Sequence, residues 1–348
     1  MNLENGQREY ITKAELENVL KNEIFPDDSI VKTIKSKYKI KYTPLNEENK
    51  NNHFSFADIA YLEITRACNL KCSHCLNNSG TAMSEQLNRE EILTLINNWA
   101  DEGIQEIRFT GGEPLVHKNI FEFINIAHEK GLYTSIGTNG TLITEEVADK
   151  LAQVGLNRAI VSIDGTENAH DKIRGKGNYV KTVKGIENLI KNNIDVRVNS
   201  VIMKSNMEDI INFAKEMHKN KTSLFIRRFI ESGRGSSLKN YTLTKQDYDY
   251  LREELSYELE NGKFVNGHYL RNDEKIKHRI KLPFEFIKGC KAGQRALVIT
   301  PDGEIHLCGF LAAQGFESAG NVRSVNNWKE YWNEIHKTDC LHILREKL

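Results

Sequence analysis

The sequence predicts an α/β protein: a parallel sheet whose strands alternate with helices. Strand-like apolar runs recur at 57–64, 104–109, 132–138, 156–163, 194–201 and 222–229, with helical patterns in the gaps. Gly103, Gly131 and Gly155 each stand just before an apolar run, where a left-handed cap ends a helix. Strict alternation of strand and helix in turn demands parallel pairing through right-handed crossovers. A length of 348 residues allows one large domain with an ample core and a smaller appendage.

Residues 1–56 precede the regular pattern and are balanced at 9 basic and 9 acidic side chains. Thr12-Lys-Ala-Glu15 reads as a capping box opening a helix through about Phe25, and Lys35 to Tyr42 alternates like a strand. The segment is expected to be a cap or packing extension, with a small peptide-recognition element as the alternative. The six strand–helix units occupy 57–230. The first strand leads directly into the cysteine run Cys68-Asn-Leu-Lys-Cys72-Ser-His-Cys75. The helix that follows gathers Ile92, Leu93, Leu95, Ile96 and Trp99 on one face. The second strand ends in Arg108-Phe-Thr-Gly111-Gly112-Glu113-Pro114, where two glycines allow close backbone approach and the glutamate can accept from an ammonium. Thr138-Asn139-Gly140 follows the third strand. The fourth ends in Ile160-Val-Ser162-Ile-Asp164-Gly165, whose two polar side chains are two positions apart and so face the same way; a plain turn is the other reading. Asn199 lies on the fifth strand, and Arg174 in the loop beyond Asp164.

Residues 231–281 read as a linker region with helices. Between Lys263 and Arg295 there are 9 Lys/Arg against 3 Asp/Glu, either a solvated face or a resting place for an acidic substrate or leader peptide. Residues 282–348 form a small unit with a second cysteine group: Gly289-Cys290-Lys-Ala-Gly293, a hairpin turned by Pro301-Asp302-Gly303, then Cys308, Trp328, Trp332 and Cys340.

Lys+Arg and Asp+Glu both number 48, so no global field points to nucleic acid or an anionic membrane. There is neither an apolar stretch long enough to span a bilayer nor a signal-type N-terminus, and a cytoplasmic, reducing setting is expected. Six cysteines in such a setting read as metal ligands rather than disulfides, and their grouping as 68, 72, 75 and 290, 308, 340 suggests two sites.

The first group has the spacing C-x3-C-x2-C. A cubane iron–sulfur cluster normally takes four thiolates. Three on one short loop leave one iron open for a non-protein ligand, as catalytic zinc sites keep a position open. Cys72-x2-Cys75 by itself also fits a zinc or redox pair, with His74 as a candidate fourth ligand. That spacing, the Gly-Gly-Glu stretch after the second strand and the βα period resemble the radical SAM superfamily over roughly 57–348.

The resemblance implies a partial (β/α)6 barrel with a [4Fe–4S] cluster on Cys68, Cys72 and Cys75, bound to S-adenosylmethionine. It implies reductive cleavage to a 5′-deoxyadenosyl radical that abstracts hydrogen from a substrate. Gly111, Gly112 and Glu113 would bind the methionine amino group. Ser162 and Asp164 would contact the ribose and Arg174 the carboxylate, while Asn199 matches a further family position. An aromatic or His at position 74 would pack beside the cluster. The C-terminal group is similar to SPASM and twitch domains, implying an auxiliary [4Fe–4S] cluster on Cys290, Cys308 and Cys340. The sequence stops eight residues after Cys340, short of the further cysteines of a two-cluster domain; a single auxiliary cluster or a truncated C-terminus follows. Such enzymes mostly mature ribosomally made peptides by crosslinking, thioether formation or epimerisation, drawing electrons from a flavodoxin- or ferredoxin-type donor. A small-molecule dehydrogenase or a sulfatase maturase is the runner-up, and a non-catalytic metal or electron carrier the remote alternative.

Overall fold

The computed structural model describes residues 57–219, 222–256, 280–281 and 296–335. The helix and strand expected at 12–25 and 35–42, and both Cys290 and Cys340, lie outside the described residues.

All six expected strands form, as β1 (Ile59–Thr65), β2 (Glu106–Gly111), β3 (Tyr133–Thr138), β4 (Arg158–Ser162), β5 (Asp195–Ile202) and β6 (Ser223–Arg228). They pair in chain order and in parallel. The helices between them are α1 (Arg89–Glu102), α2 (Ile120–Glu129), α3 (Glu145–Gln153), α4 (Glu167–Arg174), α5 (Asn178–Lys191) and α6 (Met207–Lys219). Asn88 opens α1 with a reciprocal capping box to Glu91. Gly103 closes it in the left-handed region at φ +91°, which a side chain would resist.

Alternation along each strand sends one set of side chains to the helices and the other inward. Leu62, Ile64, Ile107, Phe109, Ile136 and Val161 pack against Ile92, Ile96, Trp99, Phe123 and Leu151 in one core. Val198, Ile202, Leu224 and Ile226 meet Ile210 and Phe213 of α6 in a second. The inward set includes charged and polar side chains. Buried Arg108 donates to Glu106 (2.7 Å), Ser135 (3.2 Å) and the Tyr61 hydroxyl (3.1 Å), plugging the barrel interior with a satisfied ion pair. Burial works to raise the Glu106 carboxyl, yet the Arg108 guanidinium and the Ser135 hydroxyl hold it low.

After β6 the chain forms a 3₁₀ segment (Gly233–Tyr241) and helix α7 (Lys245–Glu254). A short strand β7 (Ile280–Lys281) extends the parallel sheet beside β6. The expected hairpin is present as β8 (Ala296–Ile299) and β9 (Glu304–His306), with Gly303 at φ +88° in its turn. It does not stand apart from the barrel: β8 pairs in parallel with β1, and β10 (Gly320–Asn321) caps the sheet beyond β9. Helix α8 (Gly309–Ala313) follows Cys308, and α9 (Trp328–Ile335) lays fully buried Trp332 into the main core, with Trp328 edge-on to Trp99 of α1 at 5.5 Å. Although β6 and β9 are distant in the sheet order, the Ser232 hydroxyl after β6 donates to the Ala313 carbonyl at the end of α8. The sheet therefore curls, and α8 reaches across its open side. Among the described residues, no helix is long and apolar enough to cross a membrane.

Candidate functional site

The cysteine loop leaves β1 at the C-terminal end of the parallel strands, the end at which barrel enzymes assemble their sites. Three other strand-end loops hold it. Beyond β3, Asn139 Nδ2 donates to Asn69 Oδ1 (2.9 Å), and Asn69 Nδ2 donates to Thr141 (2.9 Å). Beyond β4, the Ile173 carbonyl accepts from the Ser73 backbone (3.0 Å), and Asp164 accepts from His74 Nε2 (2.7 Å). Beyond β6, Arg234 donates to the Cys72 carbonyl (2.8 Å).

Within the loop, the Leu70 amide donates to Cys68 Sγ (3.4 Å) and the Ser79 amide to Cys75 Sγ (3.3 Å). Arg174 Nη1 lies 3.9 Å from Cys72 Sγ. Such N–H···S contacts favour thiolates, the form that ligates metal. Burial pushes the Cys68 and Cys72 thiols up, and the charges of the neighbouring cysteines add to it, so the three thiols are near enough to repel one another. His74 Nδ1 and Ser79 Oγ are buried without hydrogen-bond partners on the same loop. Converging thiols and orphaned polar atoms are what an iron–sulfur group would relieve, and the residues fit it. A Cys3His zinc site does not form, because His74 turns to Asp164. Among the described residues no three His, Cys, Asp or Glu side chains close around a single ion, whereas a cubane spreads its ligands over separate irons.

Gly111 and Gly112 have a packing role that the sequence did not reveal. A Cβ on Gly112 would lie 2.1 Å from the Ala67 carbonyl oxygen, and one on Gly111 2.3 Å from that of Thr65. The glycines bring β2 against the chain entering the cysteine loop, sealed by Gly112 N to Thr65 O (2.7 Å) and Glu113 N to Ala67 O (2.8 Å). Their closest approach is to this backbone rather than to an open ligand cradle. Glu113 is buried and accepts from Thr138 (2.8 Å), the Asn139 amide (2.7 Å) and the Leu115 amide (3.2 Å). Burial outweighs these donors and lifts its carboxyl to about 7, so it lacks a full counter-charge.

Ser162 and Asp164 take different surroundings. Asp164 is fully buried, with Oδ1 accepting from the Val201 amide (2.8 Å) and Oδ2 from both His74 and Arg174 Nε (2.6 Å). Burial opposes its charge, but Arg174 and His74 win and hold the carboxyl far below the ordinary range. Ser162 parts from it and faces the barrel interior in register with Asn199, whose Oδ1 is buried and unpartnered. Arg174, expected to meet the carboxylate of S-adenosylmethionine, is held by Asp164 with Nη1 directed at Cys72. Sequence reasoning missed the roles of Asn69, Arg234 and the carboxylate partner of His74. The only local signal for the last was a His between two ligands, unable to share their metal. Cys308 follows β9; with Cys290 and Cys340 outside the described residues, no auxiliary ligand set can be drawn around it.

Residues 62–217 match the radical SAM superfamily. Fe-coproporphyrin III synthase of Methanosarcina barkeri (strain Fusaro / DSM 804) is 32% identical over 293 residues, covering 78% of this chain and 72% of that protein. The chain belongs to the radical SAM superfamily. Mycofactocin maturase MftC of Mycolicibacterium smegmatis is 28% identical over 291 residues, covering 82% of this chain and 71% of the relative. Among solved structures, Streptococcus suis SuiB bound to precursor peptide SuiA superposes with a TM-score of 0.67 at 17% identity, covering 95% of this chain and 77% of that one. The structure anSMEcpe with bound AdoMet superposes at 0.60 with 19% identity, covering 82% of each chain. These two show the shared fold. As a radical SAM enzyme the protein uses a [4Fe–4S] cluster and S-adenosylmethionine, and cleaves the latter reductively.

Proposed function

We propose that the enzyme matures a ribosomally made peptide, with Cys68, Cys72 and Cys75 holding the cluster and Glu113 receiving the methionine ammonium. When bound, the cluster held by Cys68, Cys72 and Cys75 would supply the electron for reductive cleavage of S-adenosylmethionine, and with it the means to abstract hydrogen from the substrate. The chain's own residues anchor, orient and exclude water. The N–H donors of Leu70 and Ser79 support the thiolates, and Ser162 and Asn199 offer polar groups on the interior wall. The observation that carries the peptide reading is the match to mycofactocin maturase across 82% of the chain. A flavodoxin- or ferredoxin-type donor would supply the electron, and Cys290, Cys308 and Cys340 an auxiliary cluster beside the substrate.

A tetrapyrrole substrate is the second reading. Fe-coproporphyrin III synthase and an AdoMet-dependent heme synthase from the same organism, 29% identical, both favour it. So does a cationic interior wall, where Arg197 lies 4.1 Å and Arg227 5.6 Å from the half-buried Phe225 ring centre, since such a wall suits carboxylates. Anaerobic incubation with S-adenosylmethionine and dithionite separates the two, using short peptides encoded beside the gene in one reaction and Fe-coproporphyrin III in another. Peptide-dependent 5′-deoxyadenosine is expected, with a product that has lost a pair of hydrogens or, for epimerisation, kept its mass. Stimulation by the tetrapyrrole alone would replace the peptide reading.

Glu113 makes a separate test. The ammonium needs a carboxylate, so affinity for S-adenosylmethionine is expected to rise about tenfold per pH unit on the acid side of about 7 and flatten above it. Stability runs the other way in ligand-free protein. The folded carboxyl lies above its ordinary 4.5 and binds the extra proton between the two values, so its contribution fades as pH rises through about 7. Glu113→Gln should abolish both trends and weaken binding about 10- to 100-fold, the worth of a hydrogen bond to a charged group. Equilibrium dialysis across pH 6–8.5 checks this; a flat wild-type profile would remove Glu113 from the ammonium site.

A further inference from the structure

The turn after β6, Ser232-Gly233-Arg234-Gly235, belongs to no motif used above, yet it is pressed into the cysteine loop. Gly233 sits at φ +56°, and a Cβ there would lie 2.4 Å from the carbonyl oxygens of both Cys75 and Leu76. A Cβ on Gly235 would lie 2.8 Å from the Phe229 ring and 3.4 Å from the His74 carbonyl oxygen. Between these two close approaches, the Arg234 amide donates to the Cys75 carbonyl (3.1 Å). Its side chain donates from Nε to the Cys72 carbonyl (2.8 Å), and from Nη1 to the Ser79 carbonyl (2.6 Å) and Asn78 Oδ1 (3.1 Å). One planar fork thus ties the two ends of the 72–79 loop, adding to the turn bonds in which the Cys72 carbonyl accepts from the Cys75 amide (3.2 Å) and the Cys75 carbonyl from the Asn78 amide (3.3 Å). One residue earlier than Gly233, the Ser232 hydroxyl holds the Ala313 carbonyl, at the end of the helix that begins directly after Cys308.

We propose that Arg234 is the positioning residue of the cluster loop: it acts through the Cys72, Cys75 and Ser79 carbonyls to set the three thiols in place, and its turn also anchors the segment that follows Cys308. This rests on the assignment of the cluster to Cys68, Cys72 and Cys75. An ammonium keeps the charge but cannot span both carbonyls in a fixed fork, so Arg234→Lys isolates geometry from charge.

The test uses the full chain, reconstituted anaerobically, with iron counted and the reduced cluster observed by electron paramagnetic resonance with and without S-adenosylmethionine. Arg234→Lys is expected to drop iron at this site from about four to about two per chain or fewer and to broaden the reduced-cluster signal. It should also diminish the change in that signal on adding S-adenosylmethionine. Gly233→Ala, which displaces the same turn without touching the guanidinium, should alter the signal in the same way and serves if the lysine variant does not fold. Wild-type iron and wild-type spectra in either folded variant would overturn the proposal. A Cys68/Cys72/Cys75→Ala variant that keeps all its iron would instead remove the cluster assignment, and the role of Arg234 with it.

Discussion

Anaerobically reconstituted protein is expected to carry about eight irons per chain, falling to about four when Cys68, Cys72 and Cys75 are all replaced by alanine. Formation of 5′-deoxyadenosine should vanish in that variant, since no other described group can hold the open iron. The remaining four irons would belong to Cys290, Cys308 and Cys340, and would support substrate oxidation assisted by an auxiliary cluster. A fall from about four to near zero would mean that the C-terminal cysteines hold no cluster, and redox-neutral chemistry such as epimerisation would then lead. Iron and sulfide assays with a 5′-deoxyadenosine assay decide between them. The triple variant should keep its fold without metal, because Trp99, Phe109, Phe123 and Trp332 are buried in a core that does not depend on the loop.

Asp164→Asn is expected to be the most damaging single substitution outside the cysteines, at about 3–5 kcal/mol, the loss seen when one partner of a buried ion pair is removed. The carboxylate accepts on both oxygens, from Val201 on one and from His74 and Arg174 on the other. An amide must point its NH2 at one set of donors. It also leaves the buried Arg174 charge uncompensated beside Cys72. Arg174 and His74 hold the Asp164 carboxyl well below its usual range. Its contribution is therefore present above the ordinary carboxylate pKa and lost only as pH falls through the depressed value, so the wild-type protein should show no Asp164-dependent loss from pH 8 to 5. Thermal midpoints of wild type and variant across that range measure both. A midpoint change under 1 °C would mean that the pair is not what holds the loop. The variant should also load iron poorly, since Asp164 ties His74, inside the cysteine run, to Arg174, which lies 3.9 Å from Cys72 Sγ.

The strand–helix order was legible because its signal is local: apolar periodicity and glycines at helix ends act within a few residues of themselves. Each of the six strand runs falls within two residues of its place. The candidate cluster was legible for the same reason, three thiols on one short loop. The packing role of Gly111 and Gly112 was hidden, since the backbone they approach at Thr65–Ala67 belongs to a different strand and the loop after it.

What the sequence determined by itself was the fold class, the cysteine loop at a strand end, and the residue types that a cluster and an ammonium need. Only the tertiary structure decided the partners. It paired Asp164 with His74, 90 residues away, and brought Arg234 to Cys72 across 162 residues. It also joined the hairpin at 296–306 to β1. Spacing cannot reveal such choices. A buried charge takes whichever opposite charge the curled sheet brings to the same rim, and its cost unpaired, several kcal/mol, far exceeds any local preference.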